Sequence, residues 1–138
     1  MGTGVQLLES TDALKRFLQD RPEVDQVIQP FVTEARETFR LISTRESPVA
    51  GCSRRARHGE WRANAALGAT VLPHTFRVDE WELAARAVNA LDLDLGGVDL
   101  IRTAKGPLVL EVNPSPGLAG IESVCGNVAG LICEAILK

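Results

Sequence analysis

Residues 96–113 read GGVDLIRTAKGPLVLEVN, and this stretch decides the fold of the C-terminal part of the chain. Two runs rich in branched apolar residues, 98–102 and 108–112, are separated by residues typical of a turn. We predict two strands joined by a turn at 104–106, with the pair Gly96-Gly97 interrupting the chain before them. The stretch therefore predicts a β-hairpin.

Alternation along the second strand places three side chains on one face of the sheet: Val109, Glu111 and Asn113. If the hairpin loop has an odd number of residues, Asp99 lies opposite Glu111 on that same face. Facing carboxylates repel each other unless a cation lies between them, and hard oxygen ligands suit Mg²⁺ bridging nucleotide phosphates. Two interpretations stay open at this point: a metal site, or solvated acidic residues on an open sheet face.

Outside the hairpin, periodicity and turn residues predict strands and helices that mix without strict alternation. This pattern favours the α+β class, with a mostly antiparallel sheet flanked by helices. We predict strands at 4–8, 38–44 and 49–57, helices at 11–20, 79–91 and 121–137, an extended edge or hinge segment at 27–33, and a loop at 63–77.

The composition is that of an ordinary globular protein of 138 residues, with 45% apolar and 24% charged residues and a formal net charge of −3. The absence of a basic excess argues against a nucleic-acid partner. No apolar stretch reaches membrane-spanning length, no signal-peptide pattern is visible, and the three cysteines lack metal-type spacing. We therefore expect a soluble, cytoplasmic protein without a membrane partner.

Four arginines fall within one short stretch: Arg54, Arg55, Arg57 and Arg62. Such a cluster makes a local anion site possible in spite of the negative net charge. Strand alternation places Arg54 on the opposite face from Arg55 and Arg57. The alternative for some of these side chains is an ordinary solvated surface.

The hairpin and the loop after it, residues 96–102 and 106–122, resemble the C-terminal signature of RimK-type ATP-grasp ligases. The resemblance implies that Asp99, Glu111 and Asn113 bind the metal, which is Mg²⁺ with Mn²⁺ as a possible substitute. It also implies a reaction in which ATP phosphorylates a carboxylate. An amine, such as that of glutamate, then attacks the acyl-phosphate and forms an amide.

The segment 53–64 resembles the family's central stretch, where the residues matching Arg62 and Asn64 approach the phosphates of ATP. The resemblance implies that both residues bind ATP. It also implies a catalytic role for Arg62, because an arginine fork can brace a transferring phosphoryl group. The alternative for Arg62 alone is a surface cation on an edge strand.

Residues 28–32 resemble the adenine-binding hinge of the family, which implies ATP-binding roles for Gln29, Pro30, Phe31 and Val32. Family members usually carry an acidic residue where Pro30 stands, and another where Thr38 stands. Proline has no N–H to donate, so the hinge is altered in this chain. Ordinary core packing is the alternative for the two apolar hinge residues.

The resemblance predicts that residues 1–138 form a single domain, a truncated ATP-grasp fold that lacks the N-terminal domain and most of the small nucleotide-binding lobe. No lysine stands at a phosphate-clamping position; the three lysines are Lys15, Lys105 and Lys138. Three accounts stay open: a fragment of a ligase, one half of an enzyme completed by a partner chain, or a remnant. Such a remnant would be a non-catalytic module that binds nucleotide, metal or protein.

Overall fold

The computed structural model describes residues 5–33, 37–59 and 68–137. The chain divides into two compact units, residues 1–33 and 34–138. In the first unit, helix α1 covers Thr11–Gln19, and the Ser10 side chain caps it by accepting a hydrogen bond from the Ala13 amide at 3.1 Å. The predicted helix at 11–20 is thus confirmed.

Two other predictions fall in this first unit. The predicted strand at 4–8 is wrong for the described residues 5–8, which form no ladder and are mostly exposed. Apolar character alone does not make a strand when no partner strand lies beside it. Residues 27–32 have no regular secondary structure, as expected for a hinge rather than a central strand.

The second unit is an antiparallel sheet flanked by helices, so the predicted α+β class is confirmed. In the described residues the sheet has the strand order β3-β2-β1-β4-β5. The strands are β1 (Glu37–Thr44), β2 (Pro48–Arg55), β3 (Thr70–Pro73), β4 (Leu95–Thr103) and β5 (Gly106–Asn113). The helices are α2 (Val78–Ala90), α3 (Ala119–Cys125) and α4 (Val128–Ile136).

Each face of the sheet carries its own apolar cluster. On one face, here called the α2 face, Leu41 and Val98 of the sheet pack with Ala84 and Val88 of α2. On the other, here called the α3–α4 face, the sheet packs against α3 and α4 through a second cluster: Ile42, Ala50, Cys52, Ile121 and Val128. Adjacent residues of β1 enter different clusters, as the pleat requires.

Gly96-Gly97 lies inside β4, so the predicted interruption there is wrong. A Cβ on Gly97 would stand 2.6 Å from the Cβ of Pro116, because the loop after β5 packs against this strand. The glycine therefore permits a close approach of two segments rather than ending a strand.

The predicted loop at 63–77 is wrong for Thr70–Pro73, which forms β3 and pairs with β2 through Cys52 and Arg55. A four-residue edge strand depends on its partner more than on its own sequence. Residues 63–67 lie outside the described part of the chain.

The helix predicted at 79–91 is present, but it is capped at Arg77 rather than at Asp79. The Arg77 amide donates to the Glu80 carboxylate at 2.9 Å, and Leu91 is exposed.

The single helix predicted at 121–137 is two helices, α3 and α4, whose axes differ by 94°. Gly126 has φ 75° and ends α3, and Asn127 then caps α4. Within the described residues no unbroken helix is long and apolar enough to cross a membrane, although α3 and α4 together meet that criterion by length and composition.

Candidate metal and nucleotide site

A row of side chains crosses four strands on the α3–α4 face. Arg40 of β1 is the register partner of Cys52 on one side and of Asp99 on the other, and Asp99 in turn pairs with Glu111 of β5. Helices α3 and α4 cover the apolar part of this face. The row therefore places two carboxylates from neighbouring strands side by side.

The predicted pairing of Asp99 with Glu111 is confirmed, but not through an odd loop. The turn contains two residues between the paired Thr103 and Gly106. A β-bulge in β5 then shifts the register, so that Leu100 pairs with Val109 and Asp99 with Glu111. Val109 consequently lies opposite a residue of the α2 face, and its predicted placement beside Glu111 is wrong.

Asp99 forms a two-hydrogen-bond ion pair with Arg40, here called the Arg40 fork. The Arg40 Nε donates to Oδ1 at 2.7 Å and its Nη2 donates to Oδ2 at 2.5 Å. Both side chains are largely buried, with 10% and 17% of their surfaces exposed. Burial by itself lowers the pKa of Arg40, but the hydrogen bonds to Asp99 and the nearby negative charges raise it above the ordinary value. Arg40 therefore carries a full charge here.

Arg54 is the second buried cation of this cluster. Its Nη1 lies 3.6 Å from Asp99 Oδ1, and its side chain is 9% exposed. Its Nε has no hydrogen-bond partner among the described residues. Burial and the neighbouring Arg40 charge lower the pKa of Arg54, and Asp99 offsets this only in part. Two guanidiniums thus compete for one carboxylate.

Glu111 and Asn113 complete the predicted ligand set from β5. The Glu111 side chain is exposed to solvent. Asn113 pairs with Gly97, and its Oδ1 accepts a hydrogen bond from the Ser115 amide at 2.9 Å. The hydrogen-bonded turn at Asn113 begins the loop that packs over Gly97. This loop therefore fixes the end of β5, the strand that carries Glu111 and Asn113.

The donor set fits a hard divalent cation by its chemistry, because two carboxylates and an amide oxygen are the ligand types that Mg²⁺ accepts. Asp99 lies next to Glu111, and Asn113 follows two residues later on the same strand. Asp99 oxygens are engaged by Arg40, so a cation would have to share or replace that fork. Among the described residues, no group of three or more His, Cys, Asp and Glu side chains could hold a metal.

The other predicted site residues belong to other segments of the chain. Arg62 and Asn64 lie outside the described residues. The hinge residues belong to the N-terminal unit, where Gln29 and Pro30 are exposed, Phe31 is 45% exposed and Val32 is half-buried.

Arg40 was not predicted as a site residue from sequence, and Arg54 was not predicted to lie beside the Asp99 carboxylate. One signal was available for Arg40, because it stands between Phe39 and Leu41 in a strand whose last six residues are buried. A charged residue in such a strand needs a partner on its own face. The partner could not be predicted, because it comes from a strand about 60 residues away.

A family model for the RimK-like ATP-grasp domain matches residues 1–136. A probable alpha-L-glutamate ligase of Xanthomonas oryzae pv. oryzae is 39% identical over 137 residues, which cover 96% of this chain and 46% of that protein. Probable alpha-L-glutamate ligase 2 of Hahella chejuensis is 39% identical over 141 residues, covering 99% of this chain and 46% of the relative. The chain thus spans about half the length of these relatives.

Solved structures with the same fold are more distant in sequence. D-alanine–D-alanine ligase from Bacillus anthracis, complexed with ATP, has a TM-score of 0.65 at 17% identity, covering 93% of this chain and 47% of that one. The ATP-grasp ligase PsnB, complexed with a minimal precursor, Mg and ADP, has a TM-score of 0.59 at 13% identity, covering 91% and 49%. At these identities the likeness shows the fold alone.

Proposed function

The chain belongs to the RimK-like ATP-grasp family, and from this premise we propose that it forms the metal-binding part of an ATP-dependent carboxylate–amine ligase. In the proposed reaction ATP phosphorylates a carboxylate, and an amine attacks the acyl-phosphate to give an amide, ADP and phosphate. Glutamate is the proposed amino acid, because the two relatives described above are named as probable alpha-L-glutamate ligases. The comparisons do not favour the alternative of a non-catalytic module.

The observation that carries the proposal is the register of β4 and β5, which places Asp99 beside Glu111 on one face of the sheet. In the proposal these two carboxylates and Asn113 hold Mg²⁺ or Mn²⁺. A bound cation would neutralise charge on the phosphates as it develops. The residues of this chain would hold that cation at the end of the β4–β5 hairpin that carries Asp99, Glu111 and Asn113.

We assign the nucleotide contacts as the resemblance implies. The hinge from Gln29 to Val32 receives the adenine, Arg62 and Asn64 approach the phosphates, and Arg62 braces the transferring group. The phosphate-clamping lysines would come from a further segment or chain, since residues 1–138 carry none at the expected positions. This ATP-grasp portion, proposed as a single domain, would act in the cytoplasm.

Calorimetric titration with ATP, with and without Mg²⁺, tests the metal assignment. We expect Glu111→Ala to abolish the Mg²⁺-dependent part of ATP binding without unfolding the chain, because Glu111 is exposed and its removal leaves no cavity. The control is Glu82→Ala, which removes an exposed carboxylate from α2 on the other face of the sheet. Equal Mg-ATP binding by the Glu111 variant and the parent would contradict the assignment.

A further inference from the structure

Two of the cysteines lie where helix α3 packs on strand β2, and both are free thiols in this structure. Cys52, in the middle of β2, is fully buried in the apolar cluster of the α3–α4 face. Cys125, the last residue of α3, is half-buried and packs against the same cluster. The two thiols therefore share one apolar region, although they come from elements far apart in the sequence.

The Cys125 thiol itself makes a contact between the two elements. Its Sγ donates a hydrogen bond to the backbone carbonyl oxygen of Gly51 at 3.3 Å, 74 residues earlier in the chain. That carbonyl belongs to the peptide group that joins Gly51 to Cys52, so the Cys125 sulfur lies against the backbone of Cys52. On the α2 face, a Cβ on Gly51 would collide with the ring of Phe76. Strand β2 is therefore tightly packed from both faces at this point.

The two thiols differ in how readily an oxidant reaches them. Burial raises the pKa of the Cys52 thiol; the charge of Arg54 opposes this shift, and the neighbouring Cys125 adds to it. The thiolate is the reactive form of cysteine, so the buried Cys52 is a poor first target for an oxidant. Cys125 is the more accessible of the two, because its side chain is only half-buried. An accessible thiol next to a second, resolving thiol is the arrangement found in redox-sensing cysteine pairs.

We propose that Cys125 and Cys52 form a reversible disulfide when the folded chain is exposed to hydrogen peroxide. In the first step the Cys125 sulfur attacks the peroxide, the O–O bond breaks, and a sulfenic acid forms with release of one water. In the second step the Cys52 sulfur attacks the sulfenic sulfur, and a second water leaves as the S–S bond forms. The two thiols thus lose two electrons and two protons, and one hydrogen peroxide becomes two waters. A dithiol reductant reverses the bond by thiol–disulfide exchange.

Forming this bond requires a local change at the end of α3. Cys125 exchanges its hydrogen bond to the Gly51 carbonyl for a bond to the sulfur of the next residue in β2. A disulfide spans Cα atoms up to about 7 Å apart, and α3 packs directly on the cluster that contains Cys52. Because Gly126 ends α3 with φ 75°, Cys125 lies in a terminal turn, which adjusts more readily than the middle of a helix.

The disulfide would tie α3 to β2 and close a long covalent loop. Such a loop removes conformational freedom from the unfolded chain, so the oxidised form should be the more stable one. In a reducing compartment a disulfide of this kind is transient, and its usual role is redox sensing. The inference uses neither the metal nor the nucleotide, so it stands or falls independently of the proposed ligase function.

Peroxide treatment of the full folded chain, followed by alkylation and peptide mapping, tests the bond. The mapping uses Cys133→Ser, because Cys133 is exposed and otherwise shares a tryptic peptide with Cys125. We expect the monomer band of a non-reducing gel to contain the tryptic peptides 46–54 and 106–138 linked to each other, and dithiothreitol to separate them. We also expect the Tm of the oxidised chain to lie about 5–15 °C above that of the reduced chain.

The matched variant is Cys125→Ser, whose hydroxyl can keep the hydrogen bond to the Gly51 carbonyl. We expect it to lose both the linked peptides and the rise in Tm, with Cys52 left reduced because it is buried. The mapping itself does not depend on the folding of this variant. The pair is overturned if Cys125 is oxidised to a sulfinic acid while Cys52 stays a free thiol, if the linked peptides come only from dimers, or if they appear only when oxidation is carried out in urea.

Discussion

Two buried arginine–carboxylate clusters lie on opposite faces of the same sheet, and they differ in how completely their charges are paired. On the α2 face, Arg102 donates to Glu80 through Nε at 2.5 Å and Nη2 at 2.8 Å, and its guanidinium carbon lies 4.3 Å from the centre of the Phe39 ring. The Glu80 carboxylate also accepts the Arg77 amide. Arg77 Nη2 also lies 3.8 Å from Glu80 Oε1, but that arginine is 55% exposed, and each oxygen of the Glu80 carboxylate already accepts a hydrogen bond from Arg102.

The second cluster, on the α3–α4 face, has two buried cations on one carboxylate and a donor that has no hydrogen-bond partner in the described part of the chain. A cluster with complete pairing needs no ligand and holds α2 against β4. A cluster with incomplete pairing is less stable by itself, and buried charges of this kind mark candidate binding sites. The difference separates an ion pair that supports the fold from one that is a candidate for binding.

The largest effect is expected at the completely paired cluster. Replacing Glu80 with Ala removes a side chain that is 1% exposed and leaves Arg102 without its partner. We expect a loss of about 3 kcal/mol in the free energy of unfolding, at the low end for a broken buried pair because Arg102 keeps some access to water. Urea unfolding measures the loss, and Glu82→Ala, at an exposed position of the same helix, is the control.

The same pair has a defined pH dependence. Burial alone would raise the pKa of Glu80, but hydrogen bonds from Arg102 and the Arg77 amide lower it below the ordinary value. The pair therefore stabilises the fold above the ordinary glutamate pKa, and this contribution is lost as pH falls through the lower value of the folded state. A difference between the parent and Glu80→Gln that stays constant on acidification would contradict this account.

An intermediate effect is expected at Gly97, under the loop that follows the proposed ligands. Gly97→Ala places a Cβ 2.6 Å from Pro116 and 3.5 Å from Ile42, so the loop must move. We expect a loss of about 1–3 kcal/mol in the free energy of unfolding, the usual cost of overpacking.

The matched control for Gly97 is Gly117→Ala in the same loop, where a Cβ would meet no atom within 4 Å. Chemical denaturation of both variants gives the comparison. Equal losses would mean that the approach of the loop to β4 does not determine the stability of this region.

The smallest effect on stability is expected at the incompletely paired cluster. Arg54→Leu removes a buried cation that is repelled by Arg40, while Asp99 keeps both hydrogen bonds from Arg40. We expect the free energy of unfolding to change by less than about 1 kcal/mol, because apolar replacements of buried ionic groups are often neutral or stabilising. If Arg54→Leu lowers the free energy of unfolding as much as Glu80→Ala does, the two clusters do not differ in how they stabilise the fold.

The hairpin could be predicted from sequence because its information is local. The turn residues at 104–106 and the runs of apolar residues are sufficient for its two strands, but the pairing of Asp99 with Glu111 also needs the bulge in β5, which the sequence pattern does not predict. The break between α3 and α4 could not be predicted from periodicity, since apolar residues continue at helical spacing through Gly126.

Strand β3 and the buried arginines depend on contacts distant in sequence. Thr70–Pro73 is a strand because β2 lies beside it, and Arg54 is buried because neighbouring strands and helices cover its face. The secondary-structure propensities of the residues themselves do not indicate either contact. The roles of Arg62, Asn64 and the hinge stay predictions.

The bulge in β5 has a consequence for how such hairpins can change in length. With the two-residue turn alone, Asp99 would pair with Leu110, and Glu111 would fall on the α2 face. While the bulge is retained, inserting or deleting one residue between Asp99 and Glu111 would exchange the faces of everything beyond it, whereas two residues would leave the faces unchanged. Deleting the bulged residue, Leu110, is the exception, because Glu111 would then take its place opposite Asp99. Length variation in this hairpin should follow a rule of parity: homologues that keep the carboxylate pair have an odd number of residues between the two carboxylates when they keep the turn and the bulge, and an even number when they keep the turn and lose the bulge.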